Sequence, residues 1–237
     1  MALGIKDKFF EEEIETAINL LTPHYLEIEE TNFEKDLDDW KIIYFHLLKM
    51  YELKTTEIND TQKIRLFLKW VVEDCFSTPA STIFALIFFS PKSSSFGTMI
   101  KKINSLNLDK LQDGLKNAAW DLTYIIEFRK LSKNQPDNII WFFCSHDKVL
   151  KKIVRNIFLR TEDDIQVALN TLINEFWGKT KGKLVLEYYQ KMAASITEND
   201  EMRIQRNRNV RANINSMIER KEVEIFSGED QRQKGYI

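Results

Sequence analysis

The chain has 237 residues, of which 43% are hydrophobic and 30% charged, with a formal net charge of −2. That length supports a sizeable hydrophobic core, and the ordinary balance of apolar and charged residues excludes disorder as the main state. Seven glycines and four prolines are few for this length, which argues against a turn-rich all-β sandwich and for long helices joined by short links.

The opening stretch, MALGIKDKFFEEEIE, carries acids where a signal peptide needs an apolar run. No window of about eighteen uncharged apolar residues occurs anywhere, so the expectation is a cytoplasmic protein, neither secreted nor membrane-spanning. Residues 1 to 40 hold twelve acids against three bases, an acidic surface for a partner or for solvent. Phe10, Ile14, Ala17, Ile18 and Leu21 recur at helical spacing, which predicts a first helix from about Lys8 to Leu21, stopped by Thr22-Pro23. In YLEIEETN, Leu26 and Ile28 alternate with acids, the pattern of a short edge strand.

A second helix is written in DLDDWKIIYFHLLKMYEL, where Trp40, Ile43, Tyr44, Leu47, Leu48 and Tyr51 form one apolar stripe. Asp36, Asp38 and Asp39 stand near its start, where the helix dipole favours acids. TQKIRLFLKWVVEDCF repeats the pattern through Ile64, Phe67, Leu68, Val71, Val72 and Cys75. TPASTIFALIFFS is apolar nearly all round, so it predicts a buried helix with Pro79 in its first turn. SPKSSSFG, from Ser90 to Gly97, is the clearest loop. TMIKKIN and then NLDKLQDGLKNAAWDLTYIIEFRKL read as helix, the second turning Leu111, Leu115, Ala118, Ala119, Leu122, Ile125 and Ile126 inward.

The texture changes after the turn NQPDN. IIWFFC is a short continuous apolar run, β-branched and aromatic, closed by the polar SHDK, and it predicts a buried central strand. A helix from about Lys148 to Arg160 follows, with Val149, Leu150, Ile153, Val154 and Ile157 inward and Lys148, Lys151, Lys152 and Arg155 as a basic stripe. Thr161 and Asp164 suggest a capping box for the next helix. GKTKGK breaks the chain, LVLEYYQKMAASI reads as helix, and the basic EMRIQRNRNVRANINSMIERK extends helix to about Lys221. Val223 and Ile225 alternate in EVEIF, which predicts a last short strand. Both cysteines, Cys75 and Cys144, lie in apolar runs and read as small core residues of a reducing compartment.

The fold expected from these elements is helix-dominated α/β, with a small central, largely parallel sheet flanked by many helices. It forms a single domain over 1–237. Residues 1–107 are its mainly helical part, 108–160 its acidic-site region and 161–237 its C-terminal helices and short strand.

His24, His46 and His146 stand alone and neither cysteine has a partner at ligand spacing, so no structural zinc is expected. Gly178-Lys179-Thr180 has Ile173 where a phosphate-binding loop requires glycine. The strongest constellation is a carboxylate one. A strand ending at Cys144 delivers Ser145, His146 and Asp147 to the sheet edge where ligands collect. Asp121 follows the small residues Ala118 and Ala119 on the preceding helix. Two such acids suit Mg²⁺ or Mn²⁺, which leave positions for phosphate oxygens and make a water nucleophilic. Lys148, Lys151, Lys152 and Arg155 would then contact a nucleic-acid backbone. The bland alternative stands beside this: Asp147 caps the next helix toward Val149 and Leu150, Asp121 faces solvent, and the basic stripe is a solvated face.

LKNAAWDLTYIIEF followed by NIIWFFCSHDKVLKKIV resembles the second half of a PIN domain. There a helix aspartate is followed by a strand and a Ser/Thr-x-Asp-lysine turn that opens another helix. The resemblance covers about forty residues and implies a three-layer PIN-like fold. It assigns Asp121 and Asp147 as metal-binding acids of a ribonuclease site, with Ser145 lining it. A PIN domain also has a strand-borne acid near its start, which has no counterpart here. It has a further acid on an early helix as well, for which Glu52, and behind it Glu73 or Asp74, are available.

Two functions follow as expectations. One is a metal-dependent endoribonuclease of PIN type, as in a bacterial toxin or defence effector, taking RNA as substrate and Mg²⁺ or Mn²⁺ as cofactor. The other is a catalytically inactive PIN-like or purely helical interaction module, engaging a protein partner, antitoxin-like, through its acidic N-terminal or basic C-terminal helices. Absence of a third carboxylate beside Asp121 and Asp147 favours the second.

Overall fold

A computed structural model describes residues 15–16, 33–93, 100–134, 140, 142–158, 162–197 and 200–227. The chain divides into two compact units, Met1–Leu37 and Asp38–Ile237. In the first, Glu15 and Thr16 are helical. The rest of the helix expected from Lys8 to Leu21, and the edge strand expected in YLEIEETN, lie outside the described residues.

The described helices are α1 (Phe33–Thr55), α2 (Asp60–Glu73), α3 (Pro79–Phe88), α4 (Leu108–Lys133), α5 (Lys148–Ile157), α6 (Glu162–Thr197) and α7 (Asp200–Ser227). Their starts are chemically marked. Asn59 accepts from the Gln62 amide while the Gln62 side chain accepts from the Asn59 amide, a capping box for α2. Thr78 caps α3, with Pro79 in the first turn where its missing N–H costs nothing. Asn107 caps α4 by accepting from the Lys110 amide.

The core forms around α3, which is buried from Ala80 through Ile87 and packs against α2, α4, α5 and α6. A helix this apolar on every side has no solvent face to offer, so its neighbours must enclose it. Trp177 of α6 donates its indole N–H to the Leu86 carbonyl at 2.7 Å, which ties α6 to this central helix. On α1 the predicted stripe is buried except for the half-buried Trp40, and Ile42, Phe45, His46, Met50 and Leu53 are buried as well. α6 is interrupted at Gly178, whose φ of 71° and ψ of 170° belong to glycine territory, so the expected break in GKTKGK is one residue wide.

The expectation of an α/β fold is overturned, because no strand occurs among the described residues. In IIWFFC, Ile140, Phe142, Phe143 and Cys144 form an irregular connection. Among these four described residues only Phe143 packs on the core, its ring 5.3 Å from that of Phe128. Ile140 and Phe142 are 70% and 81% exposed. A central strand needs pairing partners for its backbone, and with no strand described beside it the apolar run is left as a link between α4 and α5. The same observation removes the three-layer PIN-like sheet and the strand edge on which the acidic site was to sit.

Three smaller expectations are corrected. EVEIF is the last turn of α7, not a strand. Lys221 pairs with Glu52 and Glu224, while Glu222 receives Tyr44 and Gln112, and these contacts hold the segment helical. Ile100 to Asn104, expected as helix, is a turn with Lys102 at a φ of 62°. Cys144 is exposed and not a core residue. No described helix is long and apolar enough to cross a membrane.

Candidate functional site

Asp121 lies midway along α4 and Asp147 immediately precedes α5. α4 carries Ala118, Ala119 and Leu122 into the core, and α5 buries Val149, Leu150, Ile153 and Ile157 against it. That packing brings the two half-buried acids within electrostatic reach of each other. Burial, and then the Asp147 charge, push the Asp121 carboxyl above its ordinary range, against the pull of Lys101.

Asp147 is the N-cap of α5. Its Oδ1 accepts from the amides of Val149 at 2.7 Å and Leu150 at 3.0 Å, while its own amide donates to Ser145 Oγ at 3.1 Å. These bonds satisfy donors that the first turn of a helix leaves free, and Ser145 acts by holding the cap residue in place.

The remaining predicted positions scatter. Glu52, near the end of α1, is clamped by Lys49 at 2.8 Å and Lys221 at 2.9 Å. Burial would raise its pKa, but the two lysines prevail and hold it below the ordinary range. Glu73 is exposed and pairs with Lys69, and Asp74 is the C-cap of α2. Among the described residues no three His, Cys, Asp or Glu side chains cluster as a metal site would require. Two carboxylates with one oxygen already committed to a cap are a thin donor set for Mg²⁺ or Mn²⁺.

The basic stripe is likewise divided. Lys148, Lys151 and Arg155 are exposed, but Lys152 places its ammonium 2.7 and 2.6 Å from the two carboxylate oxygens of Glu175 on α6. On α7, Arg206 donates to the carbonyls of Cys75 and Glu73 at the end of α2. Arg211 lies over the Phe76 ring and 3.6 Å from Asp39. Much of the C-terminal positive charge therefore acts inside the fold.

Two features escaped the sequence. His46 and Cys75, twenty-nine positions apart, meet at 3.4 Å, and His46 Nδ1 lies 2.7 Å from Ser81 Oγ. Burial pulls the imidazole down to about 3 and pushes the thiol up to about 12. Both groups are neutral at physiological pH, so this trio makes a packed polar joint between α1 and α3 and not a nucleophile and its base. The second is an aromatic ladder. Tyr44 stacks on Trp40 at 5.2 Å, Trp40 meets Trp120 at 5.6 Å, and Trp120 stacks on Tyr124 at 6.0 Å. It runs from the core to the surface, ending on Trp120 and Tyr124, which are 38% and 58% exposed. The four-residue spacing of Trp120 and Tyr124, off the inward face, was legible, but the stacking of Trp120 on Trp40 of another helix was not.

The chain matches no protein-family model, no curated protein and no solved structure.

Proposed function

We propose that this chain is a helical interaction module that docks a protein partner on the outer face of α4. The observation that carries this reading is the exposed stripe of Trp120, Tyr124 and Leu131, spaced four and seven residues apart. Rigid aromatic rings braced from behind are favoured anchors at protein interfaces, because they bury much area and lose little entropy. Phe142, next to Phe143 whose ring meets Phe128 of α4, is a further exposed ring. Asp121 borders the stripe, its charge disfavoured by burial and by Asp147. The surface that fits is therefore apolar with a lysine or arginine at its edge. With Cys75 and Cys144 both free thiols, the cytoplasm is the compartment such a module suits.

Photo-crosslinking in cells tests the docking face. A benzophenone side chain at position 124 is expected to give a discrete protein adduct that Trp120→Ala abolishes, with helicity unchanged. The same probe at exposed Leu66 serves as control. Equal labelling from both positions, or no adduct at 124, overturns the reading.

A second reading keeps Asp121 and Asp147 as a divalent-cation site for RNA cleavage, with Lys148, Lys151 and Arg155 contacting phosphate. The convergence of the two acids favours it. It requires Mg²⁺- or Mn²⁺-dependent RNA cleavage that drops by orders of magnitude in Asp121→Asn and in Asp147→Asn. Turnover unchanged in both variants would remove it.

A further inference from the structure

A cavity of about 300 Å³ opens where the end of α1, the start of α2, α3, the 100–104 turn and α5 come together. Its walls are more apolar than polar: Phe84 and Phe88 from α3, Ile103 from the turn and Val149 from α5 form the apolar part, with Ser90 and Ser93 beside them. Its mouth carries two half-buried lysines, Lys54 and Lys63. The Lys54 ammonium donates to Asn104 Oδ1 at 2.7 Å and the Lys63 ammonium to the Lys54 carbonyl at 2.8 Å, both neutral acceptors. Neither lysine forms an ion pair among the described residues. Asp60, also at the mouth, sits in the first turn of α2 where the helix dipole already favours it. Burial and the neighbouring Lys63 both press Lys54 toward its neutral form. Two lysines and the single carboxylate of Asp60 line this hollow, so its lining carries a net positive charge, and among the described residues neither lysine is ion-paired.

We propose that this cavity binds a small anionic amphiphile, with a carboxylate head between Lys54 and Lys63 and an apolar body against Phe84, Phe88, Ile103 and Val149. Volume sets the size of the body. An apolar cavity of about 150 Å³ takes a benzene ring, so twice that space accepts a body of about twelve carbons. The arrangement matches ligand sites in general, which are mostly apolar with a few convergent polar groups that fix orientation. This site is separate from the α4 docking face, and neither proposal depends on the other.

Calorimetric titration of the full chain with decanoate tests the proposal, with butyrate as the head-only control. Decanoate is expected to bind saturably at one site and butyrate at least about tenfold more weakly. The double variant Lys54→Met/Lys63→Met keeps the stems and removes the charge, and is expected to weaken decanoate binding by about tenfold or more. Ile103→Phe, which adds bulk inside the hollow, is expected to weaken it while melting temperature confirms folding. No saturable binding by the native chain, equal affinity for decanoate and butyrate, or undiminished affinity in the folded double variant would each overturn the proposal.

Discussion

Asp147 and Asp121 answer oppositely to the loss of charge. Asp147 is held by two backbone amides, so Asp147→Ala is expected to cost about 1 kcal/mol, or about 3 °C in melting temperature. Asp147→Asn, an equally good cap, should cost much less. Asp121 has its carboxyl raised by burial and by Asp147, so the folded chain holds that proton more tightly than the unfolded one. The penalty is complete at neutral pH and disappears as pH falls through the raised value. Asp121→Asn is therefore expected to leave the melting temperature at pH 7 unchanged or higher, which differential scanning calorimetry reads. A clear loss of stability in Asp121→Asn would mean that its carboxylate is paired rather than strained.

His46 makes the residue scale visible in a pH profile. Its folded pKa is pulled from the ordinary 6.5 down to about 3 by burial. The unfolded chain therefore takes up a proton in that window which the folded chain refuses. Stability from this group is complete above pH 6.5 and is lost as pH falls toward 3, with a slope of at most about 1.4 kcal/mol per pH unit. Urea unfolding of the native chain and of His46→Gln across this window should show a shallower slope in the variant. Identical slopes would mean that His46 is protonated in the fold.

At the scale of elements, Gly114 governs how α4 seats. A Cβ there would fall on the Lys101 carbonyl oxygen of the turn that carries Ile100 and Ile103 into the core. Replacing glycine by alanine inside a helix ordinarily adds about 1 kcal/mol of stability. Here overpacking outweighs that gain, and Gly114→Ala is expected to lose about 2 kcal/mol net in denaturant melts. The opposite sign would show that the turn yields freely. α1, α2, α4 and α5 were readable because each repeats apolar residues at helical spacing over two turns or more. Asn107, Thr78 and Asp147 stand as cap residues at the starts the pattern implies. IIWFFC was misread because a run of six apolar residues has no period of its own. Whether it pairs as a strand is decided by what lies beside it, and that is absent from the local sequence.

At the scale of the whole molecule, one carboxylate of α7 reaches two other helices. Glu222 Oε1 accepts from the Tyr44 hydroxyl at 2.6 Å and from Gln112 Nε2 at 2.7 Å, so a single side chain joins α7 to α1 and α4. Burial and this carboxylate together hold the Tyr44 phenol well above its ordinary range. Glu222→Ala leaves both donors without their acceptor and is expected to cost about 1 to 3 kcal/mol. It should also expose α7 to limited proteolysis ahead of α3. Cleavage in the same order and at the same rate as the native chain would show that α7 is held by its other contacts, the apolar stripe of Val210, Ile214 and Ile225 and the bonds of Arg206, Arg211 and Lys221.

The sequence by itself determined that the chain is dominated by helices, which faces of α1, α2, α4 and α5 turn inward, and that α3 is enclosed. Those properties follow from side-chain period and from local capping bonds, which act within a turn or two. Only the tertiary structure decided that no described segment pairs as a sheet, that Lys152 and Arg206 serve the fold, that His46 meets Cys75, and that Lys54 and Lys63 share the mouth of a cavity. Each of these depends on contacts between separate elements, which burial of the core brings together and which no local pattern records.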